Sequence, residues 1–144
     1  MRTAITAMTA LLGLAVMDGC GGGGGQASTP ATPGQTAPPA PTSSVRLVAI
    51  PTNTFRFNTG HLSARPGTVE IKLINRDDVP HNVRIQPGTN CCFKPGSRDI
   101  GGTNTASPGE SMTGTASVQR GVYTFYCAIA GHWQSGMRGR LVVR

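Results

Sequence analysis

Three side chains with donor atoms for soft metals lie close together near the end of this 144-residue chain. Cys127, His132 and Met137 follow one another with four residues in each gap. A thiolate and a thioether suit Cu(I), whereas an imidazole accepts either oxidation state of copper. With a second imidazole, the histidines and the thiolate would form a trigonal plane with a weak axial thioether, a geometry that changes little on reduction. This donor set predicts a copper site suited to electron transfer.

The second imidazole must come from elsewhere in the chain. His81 stands at the start of a predicted strand, after the polar turn of residues 77–80, and Asn82 follows it. The stretch Val79-Pro80-His81-Asn82 resembles the N-terminal histidine ligand and its neighbour in the cupredoxins, the blue copper family that includes plastocyanin, azurin, auracyanin and rusticyanin. His81 is therefore the predicted second histidine.

The last strand and loop before the C-terminus extend this resemblance. Residues 121–127 are similar to the penultimate strand of the cupredoxins, and Gly131-His132 with Met137 is similar to their C-terminal ligand loop. The resemblance covers roughly residues 45–144 and is weakest between Pro87 and Pro108. Four ligand positions with matching flanks make it far more specific than a lone cysteine or histidine.

The resemblance implies one copper ion in a type 1 site. His81 and His132 would bind it through imidazole nitrogens. Cys127 would bind through its thiolate, and Met137 would be the axial ligand. Asn82 would hold the two ligand segments together by hydrogen bonds near the Cys127 sulfur, a position that tunes the reduction potential.

The spacing of the ligands indicates which members of the family the chain resembles most. The gap between Cys127 and His132 is nearer to those of auracyanin and rusticyanin than to the shorter gap of plastocyanin. The two-copper site of cytochrome oxidase subunit II needs a second cysteine four positions after the first, and Gly131 stands there. The two-copper interpretation is therefore excluded.

Trp133 directly follows the C-terminal histidine. The resemblance implies that the edge of His132 lies in an apolar patch through which electrons enter and leave. Trp133 either belongs to this patch or packs over the loop. Arg138 and Arg140 lie just past the axial ligand and would steer an acidic partner toward it.

Alternation of apolar and polar residues predicts the strands that position these ligands. Between Val69 and Leu73 every second residue is apolar, which is typical of a half-buried strand. Turns containing Gly or Pro separate this strand from the other alternating segments. Those segments are residues 45–49, 55–57, 83–85, 111–118, 122–127 and 141–143. About 100 residues of such strands predict an all-β, Greek-key β-sandwich of seven to eight strands.

Two parts of the chain do not follow this pattern. Pro87 to Pro108 is predicted to be a long loop with room for one short strand. Before the strands, Arg2 and the apolar run that follows it predict an export signal over residues 1–19, because the run is shorter than the roughly 18–20 residues that span a bilayer. Residues 20–43, rich in Gly, Pro and Thr, predict a flexible tether. The copper-binding domain is then expected over residues 44–144.

Cys20 closes the apolar run after Gly19 and precedes five glycines. This arrangement resembles a bacterial lipoprotein cleavage site, where the cysteine becomes the lipid-bearing N-terminus. Asp18 and Met17 depart from that pattern, so a plain secretory signal that leaves Cys20 free is the alternative. We expect a periplasmic or extracytoplasmic protein, anchored to a membrane by a lipid on Cys20.

The net charge of +7 indicates acidic partners or an anionic membrane surface. Nucleic acid is not an expected partner, because the basic residues are scattered singly and the protein is predicted to be exported. We expect a monomer that shuttles single electrons between redox proteins such as a cytochrome or a terminal oxidase or reductase. No enzymatic activity is expected, since four protein ligands leave no open metal position. Copper storage or delivery is the alternative.

The adjacent cysteines Cys91 and Cys92 are not explained by the resemblance. A disulfide between them would close a strained eight-membered ring, and free thiols or an intermolecular pairing are the other structural interpretations. Adjacent thiolates also bind soft metals, so a second metal site or a role in copper loading is the functional alternative. A disulfide is the preferred prediction.

Overall fold

The computed structural model describes residues 39–51, 55–89, 94–96 and 98–144. These residues form nine β-strands and no α-helix. The strands are β1 (Ser43–Ile50), β2 (Arg56–Phe57), β3 (His61–Ala64), β4 (Gly67–Asn75), β5 (Arg84–Pro87), β6 (Gly101–Gly102), β7 (Ser111–Val118), β8 (Gly121–Tyr126) and β9 (Arg138–Val143).

The strands are hydrogen-bonded into one continuous sheet in the order β2-β1-β4-β7-β6-β5-β8-β9-β3. The pairs β1–β4 and β3–β9 are parallel, and every other pair is antiparallel. The sheet curls on itself, because side chains from both of its halves, such as Leu47 and Leu141, belong to one buried cluster. The predicted all-β Greek-key sandwich is confirmed, and the seven strands of four or more residues match the predicted number.

The clearest alternation in the sequence forms the centre of the core. Val69, Ile71 and Leu73 of β4 are fully buried. Their neighbours on β1 lie in register with them, Val45 beside Ile71 and Leu47 beside Leu73. Each such side chain removed from water contributes about 1.5–3 kcal/mol to folding, so this pair of strands stabilises the sandwich that holds the site.

Strand β8 is buried on both faces, which alternation does not predict. Thr124 and Tyr126 are buried, and so are the core-facing Tyr123 and Phe125. The Tyr126 hydroxyl accepts a hydrogen bond from the Gly96 N–H at 2.8 Å and donates one to the Asp99 carboxylate at 2.7 Å. Burial, together with Asp99, raises the pKa of Tyr126 to about 12, so the phenol stays neutral. The predicted long loop therefore covers the strand that leads to Cys127.

Strand β3 was not predicted. It pairs with β9 in parallel, with Leu62 opposite Leu141 and Ala64 opposite Val143. Only two of its four residues are apolar, and its partner lies far away in sequence, so no local pattern identifies it. The predicted room for a short strand between Pro87 and Pro108 is filled by β6.

The predictions for residues 1–38, including Cys20, lie outside the described residues, and so do those for Cys91 and Cys92. Within the part of the chain that the structure describes, no helix is long and apolar enough to cross a membrane.

Candidate metal centre

Cys127 and Met137 begin and end a closed loop directly after β8. The Cys127 N–H donates to the Met137 carbonyl at 3.0 Å, and the Met137 N–H donates to the His132 carbonyl at 3.0 Å. Gly131 and Gly136 have φ angles of 87° and 103°, a region that is strained for residues with a Cβ atom. Two left-handed turns thus let an eleven-residue loop return its two sulfur-bearing residues to one place.

His81 reaches this place from the segment that leads into β5, the strand that pairs with β8. His81 and Ala106 exchange two backbone hydrogen bonds, of 3.0 Å and 2.8 Å. The buried Asn75 amide donates to the Val79 and Ala106 carbonyls, and its Oδ1 accepts the Asp77 N–H at 2.9 Å. This last bond forms an Asx turn. Asn75 therefore fixes both the turn before His81 and the segment around Ala106 beside it.

The donor atoms of three predicted ligands converge. His81 Nδ1 and His132 Nδ1 are 3.2 Å apart, and the Cys127 Sγ is 3.8 Å from the first and 3.5 Å from the second. A point equidistant from these three atoms lies about 2 Å from each, close to the usual length of a bond from a transition metal to imidazole nitrogen or thiolate sulfur. All three residues are buried. The donor set and its spacing fit a copper ion.

The fourth predicted ligand lies at the same end of the sandwich. Met137 is fully buried and is tied through its backbone to Cys127 and His132. Met112 is the other methionine among the described residues. It is half-buried against the core, as its place in the alternation of β7 predicts. Met137 is thus the methionine that the fold brings to the histidines and the thiol.

Asn82 bridges the two ligand segments. Its side-chain oxygen accepts the Ala128 N–H at 2.8 Å, and its backbone N–H points to the Cys127 sulfur at 3.5 Å. Its amide nitrogen donates to the Thr105 hydroxyl at 3.3 Å. These bonds hold Cys127 relative to His81 before any metal binds.

The surroundings set the protonation of two of the donors. Burial raises the pKa of the Cys127 thiol, although the hydrogen bond from Asn82 acts in the opposite direction. Burial and the nearby His81 lower the pKa of His132, while Asp77 acts against them. A buried cation would favour the thiolate, and a neutral His132 offers Nδ1 as a ligand without first losing a proton.

Asp77 contacts the edge of the His81 ring opposite the Nδ1 atom that faces the other donors. The His81 Nε2 is 3.0 Å from the Asp77 Oδ2, and the two side chains are 0% and 4% exposed. Burial raises the pKa of Asp77, but the hydrogen bonds from His81 and Asp78 outweigh it and hold the pKa below its usual value. A proton on Nε2 shared with this carboxylate leaves the Nδ1 lone pair of His81 free for a metal.

Phe55 covers the ring of His132. The two rings are stacked with centroids 4.1 Å apart, and Phe55 also meets His81 edge-on at 6.3 Å. Trp133 lies within the ligand loop and is half-buried, and the Arg138 guanidinium lies 5.8 Å from its ring centroid. His132 keeps only 8% of its surface exposed, so the route to the site from solvent is narrow.

Three residues at this site were not predicted from the sequence. Asp77 begins the predicted turn of residues 77–80, and Asn75 ends β4 just before it. An Asn at such a position is a signal for an Asx turn, because its side chain can bond the backbone two residues on. Phe55 belongs to an alternating segment that predicts only a strand. Their contacts to the histidines are tertiary, so no spacing in the sequence marks them.

A Greek-key β-sandwich with a buried His-Cys-His donor set defines the cupredoxin class. Residues 45–144 match the family model of copper-binding proteins, the plastocyanin/azurin family, so the chain belongs to that family. The predicted resemblance is confirmed, and copper is the metal that the family and the donor set support. No curated protein sequence matches the chain.

Solved structures give the same fold. Auracyanin B superposes with a TM-score of 0.66 at 22% identity, over 75% of this chain and 93% of its own. Auracyanin A, a "blue" copper protein from Chloroflexus aurantiacus, gives 0.60 at 21% identity, over 70% and 98%. The azurin Az-iso2 of Methylomonas sp. strain J gives 0.57 at 18% identity, over 72% and 98%. At these identities the likeness demonstrates the fold alone.

Proposed function

We propose that this protein is a type 1 copper electron-transfer protein that binds one copper ion. The observation that carries the proposal is the triangle of His81 Nδ1, His132 Nδ1 and Cys127 Sγ, with sides of 3.2 to 3.8 Å, in the buried end of the sandwich. Met137 is proposed as the axial ligand. Bound copper would supply a one-electron couple between Cu(II) and Cu(I).

The protein's own contribution is rigidity. Asn82 joins the two ligand segments, and backbone bonds close the loop from Cys127 to Met137. Donors that are held in place before the metal binds cannot relax toward the geometry that either oxidation state prefers, which keeps the reorganisation on electron transfer small. Four protein ligands would leave no position for a substrate, so we propose electron transfer rather than catalysis.

Electrons would enter and leave beside His132. Trp133 and the partly buried Phe55 place apolar surface next to it, and Arg138 adds positive charge at the Trp133 ring. A partner with an acidic docking face would complement this surface. We propose redox proteins such as a cytochrome or a terminal oxidase or reductase as donor and acceptor, met by a monomer of this protein.

We also propose that the domain works outside the cytoplasm, in a periplasm or at the outer face of a membrane. The export signal predicted over residues 1–19 and the Gly/Pro/Thr-rich stretch after it support this proposal, with a lipid on Cys20 as the proposed anchor. Mass spectrometry of the protein purified from membranes tests the anchor. A mature chain that begins with a lipid-modified Cys20 is expected, and an unmodified Cys20 would contradict it.

A redox titration of copper-loaded protein tests the function. We expect one copper per chain and a fully reversible one-electron transition. A colourless Cu(I) protein that hands its metal to a partner would instead support copper storage or delivery. More than one copper per chain would point to a second site, and a Cys91→Ser, Cys92→Ser double variant would tell whether these cysteines form it.

A further inference from the structure

Among the described residues, one carboxylate is buried against a proposed ligand. Asp77 and His81 are 5% and 0% exposed, and Asp77 Oδ2 lies 3.0 Å from His81 Nε2. The other carboxylate oxygen accepts the Asp78 N–H at 2.9 Å, and the Asp77 N–H is held by Asn75. The carboxylate thus makes two hydrogen bonds, one of them to the imidazole, and a third bond holds the backbone of Asp77.

We propose that Asp77 is a positioning residue that fixes the tautomer of His81 and lowers the reduction potential of the site, an inference that rests on the proposed copper function. A histidine whose Nε2–H donates a hydrogen bond to a carboxylate presents Nδ1 as a more basic ligand, because the anion stabilises positive charge on the ring. Positive charge on the imidazole grows with the charge of the metal, so the carboxylate stabilises the higher oxidation state more.

The net charge of the buried site also predicts that Asp77 lowers the reduction potential. The Cys127 thiolate and the Asp77 carboxylate together balance the two charges of a cupric ion. On reduction by one electron the same buried group carries one uncompensated negative charge. Without Asp77 the site would carry one positive charge when oxidised and none when reduced. Because an uncompensated charge is costly in a buried place, Asp77 favours the oxidised site and its loss favours the reduced one.

The neighbouring Asp78 provides a matched control. It belongs to the same turn and carries the same charge, but its side chain is exposed to solvent. Water and salt screen an exposed charge far more than a buried one. Removing the Asp78 carboxylate therefore tests the loss of one negative charge from the same turn while the hydrogen bond between Asp77 and His81 is kept.

The test is the midpoint potential of the copper-loaded full chain, measured for the wild type, Asp77→Asn and Asp78→Asn at one pH and one salt concentration. Loss of such a second partner typically changes metal affinity by tenfold or more. We expect Asp77→Asn to shift the equilibrium about tenfold toward Cu(I), which is about 59 mV for one electron. Asp78→Asn should shift it by less than a third as much. An Asp77→Asn potential that is unchanged, lowered, or equal to that of Asp78→Asn would overturn the proposal.

A second measurement does not depend on whether Asp77→Asn folds. In the diamagnetic Cu(I)-loaded wild type, nuclear magnetic resonance should detect a slowly exchanging, downfield proton on His81 Nε2. A bare Nε2, or a proton there that exchanges rapidly with water, would refute the Asp77 contact. If the wild type lacked the visible band of a type 1 site, the proposed function itself would fail. If the band were present and the Asp77 tests failed, this inference alone would be lost.

Discussion

Phe55 and His132 stack face to face, with ring centroids 4.1 Å apart and an angle of 10° between the planes. The backbone of Phe55 has a φ angle of 44°, which is costly for a bulky residue and persists only when its surroundings enforce it. It is the one non-glycine residue with positive φ that the described part of the chain contains. The strain therefore occurs where an aromatic ring is laid against a proposed ligand.

Replacement of Phe55 tests whether the stacking stabilises the site. An aromatic pair contributes about 0.5–1.5 kcal/mol beyond its buried area. We expect Phe55→Leu to lower the free energy of unfolding of the metal-free protein by about 1 kcal/mol, measured by urea titration. Phe55→Tyr keeps the ring and should stay close to the wild type. Equal losses in the two variants would show that the stacking is not the cause.

The hydroxyl of Tyr126 should hold the segment that covers β8. Tyr126→Phe removes the acceptor of the Gly96 N–H and the donor to Asp99. We therefore expect faster hydrogen exchange at the Gly96 amide. We also expect the free energy of unfolding to fall by about 1–3 kcal/mol. Tyr123→Phe is the control, because its hydroxyl bonds instead to the backbone of Gln119. It should leave Gly96 exchange unchanged. Protection of Gly96 that survives in Tyr126→Phe would contradict the assignment.

The two described methionines should differ in their effect on copper. Met137→Leu removes the proposed axial thioether, whereas Met112→Leu changes a residue that packs at the edge of the core. The axial ligand tunes the potential of such sites. Cu(I) is stable with three ligands, so loss of the fourth donor costs the more highly charged Cu(II) more. We therefore expect Met137→Leu to keep one copper per chain but to raise the midpoint potential. Met112→Leu should change neither quantity. The same potential in both variants would remove Met137 from the ligand set.

Much of the fold could be predicted because the strands follow a local rule. The alternation at Val69 to Leu73 needs only one buried face, and the structure buries that face. Strand β3 could not be predicted, because it is short and pairs with β9 from far away in sequence. The burial of Tyr126 could not be predicted, because a loop covers the face of β8 that alternation assigns to solvent.

The donors of the site were predictable for a different reason. Cysteine, histidine and methionine are rare in this chain, so their spacing alone carries information about Cys127 and His132. Aspartate and phenylalanine have many ordinary roles. Asp77 and Phe55 acquire theirs only when an Asx turn and a strained backbone bring them onto the histidines, which are properties of the folded chain.

The most direct test of the copper centre is the visible and electron spin resonance spectrum of the copper-loaded protein beside that of Cys127→Ser. A site formed by His81, Cys127 and His132 should give the wild type an intense band toward the red end of the visible spectrum and a narrow copper hyperfine splitting. Both should disappear in Cys127→Ser, because a serine oxygen cannot replace the thiolate. A Cys127→Ser protein that kept the band and the narrow splitting would show that Cys127 does not bind the metal.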